Sequence, residues 1–166
     1  MKNPAEDAPM VVMNLGRIVI RESSDQQYIY LKERDGERGF PIIIGSPEAF
    51  EIRRVVSGMR TERPLTHQLV FNTIRALGAS PAHVDVVDLR NNTFYAQIAL
   101  QDEKGEICAL IDARPSDAIA LALRAGCPVR VAESVLEQVR SDDAQDPIDP
   151  PPAADSDQDE TPEQEE

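Results

Sequence analysis

The stretch Arg114-Pro115-Ser116-Asp117-Ala118-Ile119-Ala120-Leu121-Ala122-Leu123-Arg124-Ala125-Gly126 constrains the fold more than any other part of the chain. Pro115 fixes φ for a helix start, and Ser116 and Asp117 carry oxygens able to accept from the unpaired N–H groups there. Gly126 is the stop, because glycine enters the left-handed conformation after a helix without penalty. Between these ends, residues 118–123 are apolar on every side. Such a helix is stable when it is buried nearly all round, so the remaining elements must wrap it. Asp112, Arg114, Asp117 and Arg124 flank this element, and charges beside a core must be paired or used.

A second opening echoes the first. Arg63-Pro64-Leu65-Thr66-His67-Gln68-Leu69 places Arg-Pro ahead of Thr66, a capping residue type, and the helix runs through Val70, Ile74 and Leu77 to Gly78. Arg-Pro-x-cap is a good helix opening in its own right. It would equally carry two matching arginines, Arg63 and Arg114, into one cleft.

The rest of the chain supplies strands. Val12, Leu15, Ile18 and Ile20 mark a first strand, with Gly16 as a bulge or close-approach position. Residues 28–31 form a second, and a turn at 34–37 leads to a third over 39–44, where Ile42-Ile43-Ile44 predicts burial on both faces. Ser46 as N-cap and Pro47 at the first helical position open a helix with the stripe Ala49, Ile52, Val55, Val56 and Met59. Three further strands are expected over 84–89, 94–100 and 107–111. Asn91-Asn92 tolerates positive φ and suits the first hairpin between them. A strand at 129–131 and a helix at 134–140 close the domain. This order gives an α+β fold, mostly antiparallel sheet packed with helices. The two halves are alike enough to expect an internal duplication of a strand-strand-strand-helix unit.

Charge is distributed unevenly. All 17 Lys and Arg precede residue 141, whereas 11 of the 30 Asp and Glu follow residue 140, so residues 1–140 net −2 and residues 141–166 net −11. The division expected is a flexible start at 1–9, a domain at 10–140 and an acidic, proline-rich, disordered tail at 141–166, which holds too little apolar surface to offset its ordering entropy. A nearly neutral domain is unusual for a nucleic-acid binder, which draws affinity from neutralising phosphates. Against this, 14 of the 17 basic residues are arginine, the better phosphate fork. Cys108 and Cys127 lie among apolar neighbours with no CxxC partner and read as reduced core thiols. Residues 1–9 offer no signal-peptide run and no segment reaches transmembrane length, so a cytoplasmic, non-membrane protein is expected. Tyr28, Tyr30 and the Ile42–Ile44 strand offer apolar surface suited to a homo-oligomer.

Four motifs carry a resemblance. Phe40-Pro41-Ile42-Ile43-Ile44-Gly45, Arg63-Pro64-x-Thr66-His67, Phe94-Tyr95-Ala96 and the segment from Asp112 to Ala122, in this order, resemble the bifunctional nuclease domain family over roughly residues 10–140. The resemblance implies cleavage of phosphodiester bonds in DNA, RNA or both, with low sequence specificity.

On that reading, phosphodiester hydrolysis with Mg²⁺ or Mn²⁺ needs carboxylate ligands and a cation for the developing charge. Asp112 and Asp117 are the metal candidates, and they converge only if the strand-to-helix turn between them is tight. Arg63, Arg114 and Arg124 are the phosphate-binding candidates. His67 and Asp117 are the catalytic candidates, His67 because the first turn of a helix favours a neutral imidazole suited to act as a base. Each also has a structural reading: Asp117 as a first-turn acid, His67 as a local hydrogen-bonding group, and Asp–Arg pairs that merely hold the turn. His83 reads as an exposed residue at a strand entrance. The alternative to a nuclease is therefore a non-catalytic ligand-binding or oligomeric scaffold module whose acidic tail is an interaction segment.

Overall fold

The computed structural model describes residues 9–21 and 24–143. Eleven elements follow in the order expected from sequence: β1 (Met10–Val19), β2 (Gln26–Glu33), β3 (Gly39–Gly45), α1 (Ser46–Val56), α2 (Thr66–Ala76), β4 (Ser80–Arg90), β5 (Thr93–Gln101), β6 (Ile107–Ala113), α3 (Pro115–Ala125), β7 (Val129–Ala132) and α4 (Glu133–Asp143). The seven strands form one sheet in the order β3-β2-β1-β7-β4-β5-β6, antiparallel throughout except where β7 lies parallel to β4. The fold is thus α+β, as expected. Each half contributes a three-strand meander followed by a helix. Because β7 pairs antiparallel with one half and parallel with the other, the arrangement does not establish the expected duplication. No helix among the described residues is long and apolar enough to cross a membrane.

Local chemistry sets several of these elements. The register of β1 on β2 shifts between Leu15 and Arg17, so Gly16 is the extra residue of a bulge. Asn91 and Asn92 adopt φ of 49° and 56°, the two positive values a tight hairpin between twisted strands demands. Gly126 ends α3 in the left-handed conformation at φ 69°. Helix α3 is buried from Pro115 to Ala122 apart from Asp117, and its Ile119 and Leu121 share one core with Ile29, Leu31, Phe40, Ile52, Val84, Val86 and Val131.

Several sequence expectations need correction. The helix starts are not capped by side chains: the N-caps are Gly45, Leu65 and Arg114, so Ser46 and Thr66 are already helical and Asp117 points its oxygens elsewhere. The isoleucine run is not buried on both faces, because β3 is an edge strand; Ile42 and Ile44 enter the core and Ile43 is 54% exposed. Helix α1 stops at Val56, so Met59 falls beyond it, and both residues lie exposed past the packed part of the stripe. Helix α2 buries no residue fully; Phe71 and Ile74 pack on the core while Leu69, Val70 and Leu77 stay exposed. Cys108 is exposed on β6, and only Cys127 packs on the core, where burial pushes its thiol up to about 11. His83 is a partly buried residue within β4, near Asp85, rather than an exposed one.

Candidate functional site

The residue before a proline is driven out of the helical region, so Arg114 stands extended at ψ 147° just ahead of Pro115. Its guanidinium folds back over the first turn of its own helix. Arg114 Nε donates to Asp117 Oδ2 at 2.8 Å and Nη2 to Asp117 Oδ1 at 3.1 Å. Nη2 also donates to Glu48 Oε1 at 2.7 Å, in the first turn of α1. On the other side, His67 Nε2, at the start of α2, lies 2.8 Å from Asp117 Oδ1. Three helix N-termini therefore meet through four side chains.

The electrostatics follow from that geometry. The converging ends carry positive helix-dipole charge and favour carboxylates or other anions there. Partial burial pushes the Asp117 carboxyl up, but hydrogen bonds from Arg114 and His67 outweigh it and hold it below its ordinary value. The Arg114 guanidinium is raised above its ordinary value by Asp117 and then Glu48. It stays 66% exposed, and its Nη1 makes no hydrogen bond among the described residues. The same Arg114, with Pro115 and Ser116, forms one wall of a cleft of about 800 Å³. Opposite lie the free side of β3 with Tyr28 behind it, and the tip of the β4–β5 hairpin at Asn92 and Phe94.

Of the sequence candidates, His67, Asp117 and Arg114 are brought together; Asp112, Arg63 and Arg124 are not. Asp112 is exposed on the edge strand β6 opposite Gln97, on the strand face that alternates with Ile111 and Ile98. Arg63 is exposed between α1 and α2, where its backbone oxygen accepts from Thr61. Arg124 sits two helical turns beyond Asp117 in a second polar cluster. It pairs with Glu51, which is 3% exposed and is also paired with Arg54, and it reaches Gln68 of α2. Burial lowers the Arg124 pKa. Both clusters repeat one scheme: an acid of α1, an arginine of α3 and a polar residue of α2.

Sequence reasoning missed Glu48, Glu51 and Gln68. Glu48 and Glu51 had a signal, since each stands four residues before an apolar position, Ile52 and Val55, on the packed side of α1. An acid on a helix's buried stripe needs a cation from elsewhere. Divalent-ion binding has no comparable support. Among the described residues no group of three or more His, Cys, Asp or Glu is placed to hold a metal, and both Asp117 oxygens already accept hydrogen bonds.

Comparison with known proteins agrees with the family resemblance. An uncharacterized protein of Mycobacterium tuberculosis is 40% identical over 121 residues, covering 73% of this chain and 71% of the relative. Bifunctional nuclease 1 of Oryza sativa subsp. japonica is 26% identical over 123 residues, covering 72% of this chain but 37% of the rice protein. The model of the bifunctional nuclease domain matches residues 29–143, a span that contains His67, Asp117, Arg114, Glu48 and every residue named above as a wall of the cleft except Tyr28. The chain belongs to the bifunctional nuclease domain family.

Proposed function

We propose that this protein is a cytoplasmic nuclease that hydrolyses phosphodiester bonds in DNA, RNA or both, at the His67–Asp117–Arg114 cluster beside the cleft. The observation that carries this reading is the hydrogen-bonded chain from imidazole to carboxylate to guanidinium, at 2.8 Å for both links, where Arg114 also lines the cleft. Asp117 accepts from Nε2 and fixes the tautomer, which leaves Nδ1 of His67 as the basic nitrogen. That nitrogen takes the proton of an attacking water. Arg114, through Nη1, meets the charge that builds on the phosphoryl oxygens. No step is assigned here to Mg²⁺ or Mn²⁺.

The test is cleavage of fluorescent DNA and RNA oligonucleotides by the full chain, with EDTA in one arm and Mg²⁺ or Mn²⁺ in others. His67→Ala should fold normally and lose about 10²–10⁴-fold in rate. Undiminished cleavage by that variant would remove His67 from the mechanism, and divalent-dependent cleavage would add a metal step. One observation favours the scaffold alternative: the same side chains tie α1, α2 and α3 together and would serve as a purely structural latch. On that account no oligonucleotide is cleaved under any condition.

A further inference from the structure

We propose that the outer face of β1–β2 is a stacking platform that binds single-stranded nucleic acid and leads it to the cleft, with the half-buried Tyr30 and Tyr28 as the stacking rings and the exposed Arg17 and Arg21 as the phosphate contacts. The proposal rests on the nuclease reading for its purpose, but its geometry is independent of His67 and Asp117.

Alternation along β2 sorts its residues. Ile29 and Leu31 are fully buried, which turns Tyr28, Tyr30 and Lys32 to the other face. Two residues apart on a strand, the rings are spaced about 6.5–7 Å along it. Tyr30 stands opposite Arg17 on β1 and Pro41 on β3, and Tyr28 opposite Val19 and Ile43. The ring of Tyr30 lies low against the sheet. A β-carbon on Gly39 would come 2.8 Å from its Cε1, and one on Gly16 would come 3.5 Å from its Cδ1. Glycine at both flanking positions lets the ring lie down, and a ring lying down turns a π face outward.

The arginines lie over these rings, so a base would take the place of a guanidinium on the ring face. Arg17 lies 5.5 Å from the centroid of Tyr30 and Arg21 lies 5.1 Å from that of Tyr28. Arg21 is held there by Gln27, a residue 1% exposed, whose side chain accepts from the Arg21 N–H at 2.6 Å and donates to its carbonyl at 3.2 Å. Arg34, Arg38, Arg54, Arg90, Arg114, Arg124 and Arg130 are each ion-paired. Arg17 and Arg21 have no carboxylate partner among the described residues. Both are exposed, so each can swing outward to admit a base and hold its phosphate. Tyr28 of the platform and Arg114 of the cluster both line the cleft, so the two meet at it.

The ligand class follows from how such a surface reads. A flat ring stacks on the face of an unstacked base, which a duplex keeps buried in its own stack. Stacking ignores the sugar, so DNA and RNA single strands should bind alike.

Binding is measured in the full-length His67→Ala background by anisotropy of labelled oligo-dT, oligo-rU and a DNA duplex of equal charge. Each aromatic–base contact corresponds to about 5- to 150-fold in affinity. Tyr28→Leu/Tyr30→Leu keeps an apolar cover but no π face and should weaken single-strand binding at least about 25-fold. Tyr28→Phe/Tyr30→Phe should bind like the parent. Arg17→Ala/Arg21→Ala should weaken binding and lower the slope of log K against log salt by about 1.4. Melting curves select the variants that fold. Leucine variants that bind as tightly as the parent, or a parent that prefers the duplex, would overturn the platform. Cleavage by the wild-type chain is a separate reading. Its absence, with the binding results as expected, would defeat the nuclease proposal and leave the platform standing.

Discussion

Arg114 and Arg124 look equivalent in sequence, one at each end of α3, yet burial separates what their loss should do. Arg124 faces a carboxylate that is 3% exposed, and removing one partner of a buried pair leaves an uncompensated charge at a cost of about 3–5 kcal/mol. Arg54, the second cation on Glu51, should hold Arg124→Ala to the lower part of that range. Arg114 is 66% exposed, so Arg114→Ala should cost about 1 kcal/mol. Urea unfolding of the two variants measures the difference, and equal losses would contradict it. Asp117 adds a pH signature. Its folded pKa is below the unfolded value, so its contribution is present above about 3.8 and disappears as pH falls through the folded value. The stability gap between the wild type and Asp117→Asn should therefore begin to narrow as pH falls below about 4. A gap that does not narrow with further acidification would show that the pairing is not what separates them.

At the scale of elements, the sheet edges differ in how they are guarded. β3 carries Pro41, which cannot donate to a further strand. β6 has no such guard: Ile107, Leu110 and Ile111 are all at least 43% exposed along seven residues whose one charge is Asp112. The homo-oligomer expected from sequence would be better placed on β6 than on the isoleucine run of β3. Sedimentation at rising concentration should show a dimer that Leu110→Lys returns to monomer; a parent that stays monomeric would remove the proposal. Element order was legible because each start and stop has a local cause, such as Asn91-Asn92 at a hairpin or Gly126 after α3. Burial was less legible. Whether Ile43 or Cys108 meets a neighbour depends on which strands end up as edges, and strand order is set by pairings between residues far apart. The site was legible to the same degree. His67, Asp117 and Arg114 stand at helix starts that sequence marks, but their union with Glu48 needs three helices to converge. Nothing within any one helix encodes that meeting.

For the whole molecule, the charge imbalance makes its own prediction. Residues 144–166, outside the described residues, carry most of the acid in the stretch after residue 140, and α4 itself extends to Asp143. A chain truncated after Asp143 should keep its melting temperature. It should bind oligonucleotides more tightly at about 20 mM salt, where the Debye length exceeds 20 Å, and the advantage should fade by 0.15 M. Equal affinities at low salt would leave the acidic segment with a solubilising role only.

β7 is four residues long, yet it alone joins the two meanders, pairing with β1 on one side and β4 on the other. A polypeptide made from its N-terminus first exposes both inner edges, on β1 and β4, until residues 129–132 emerge. The keystone is thus the last strand laid, and the arch cannot close before it is made. Slowing the ribosome between residues 113 and 129 should therefore raise aggregation in the cell more than slowing it before β4 is made.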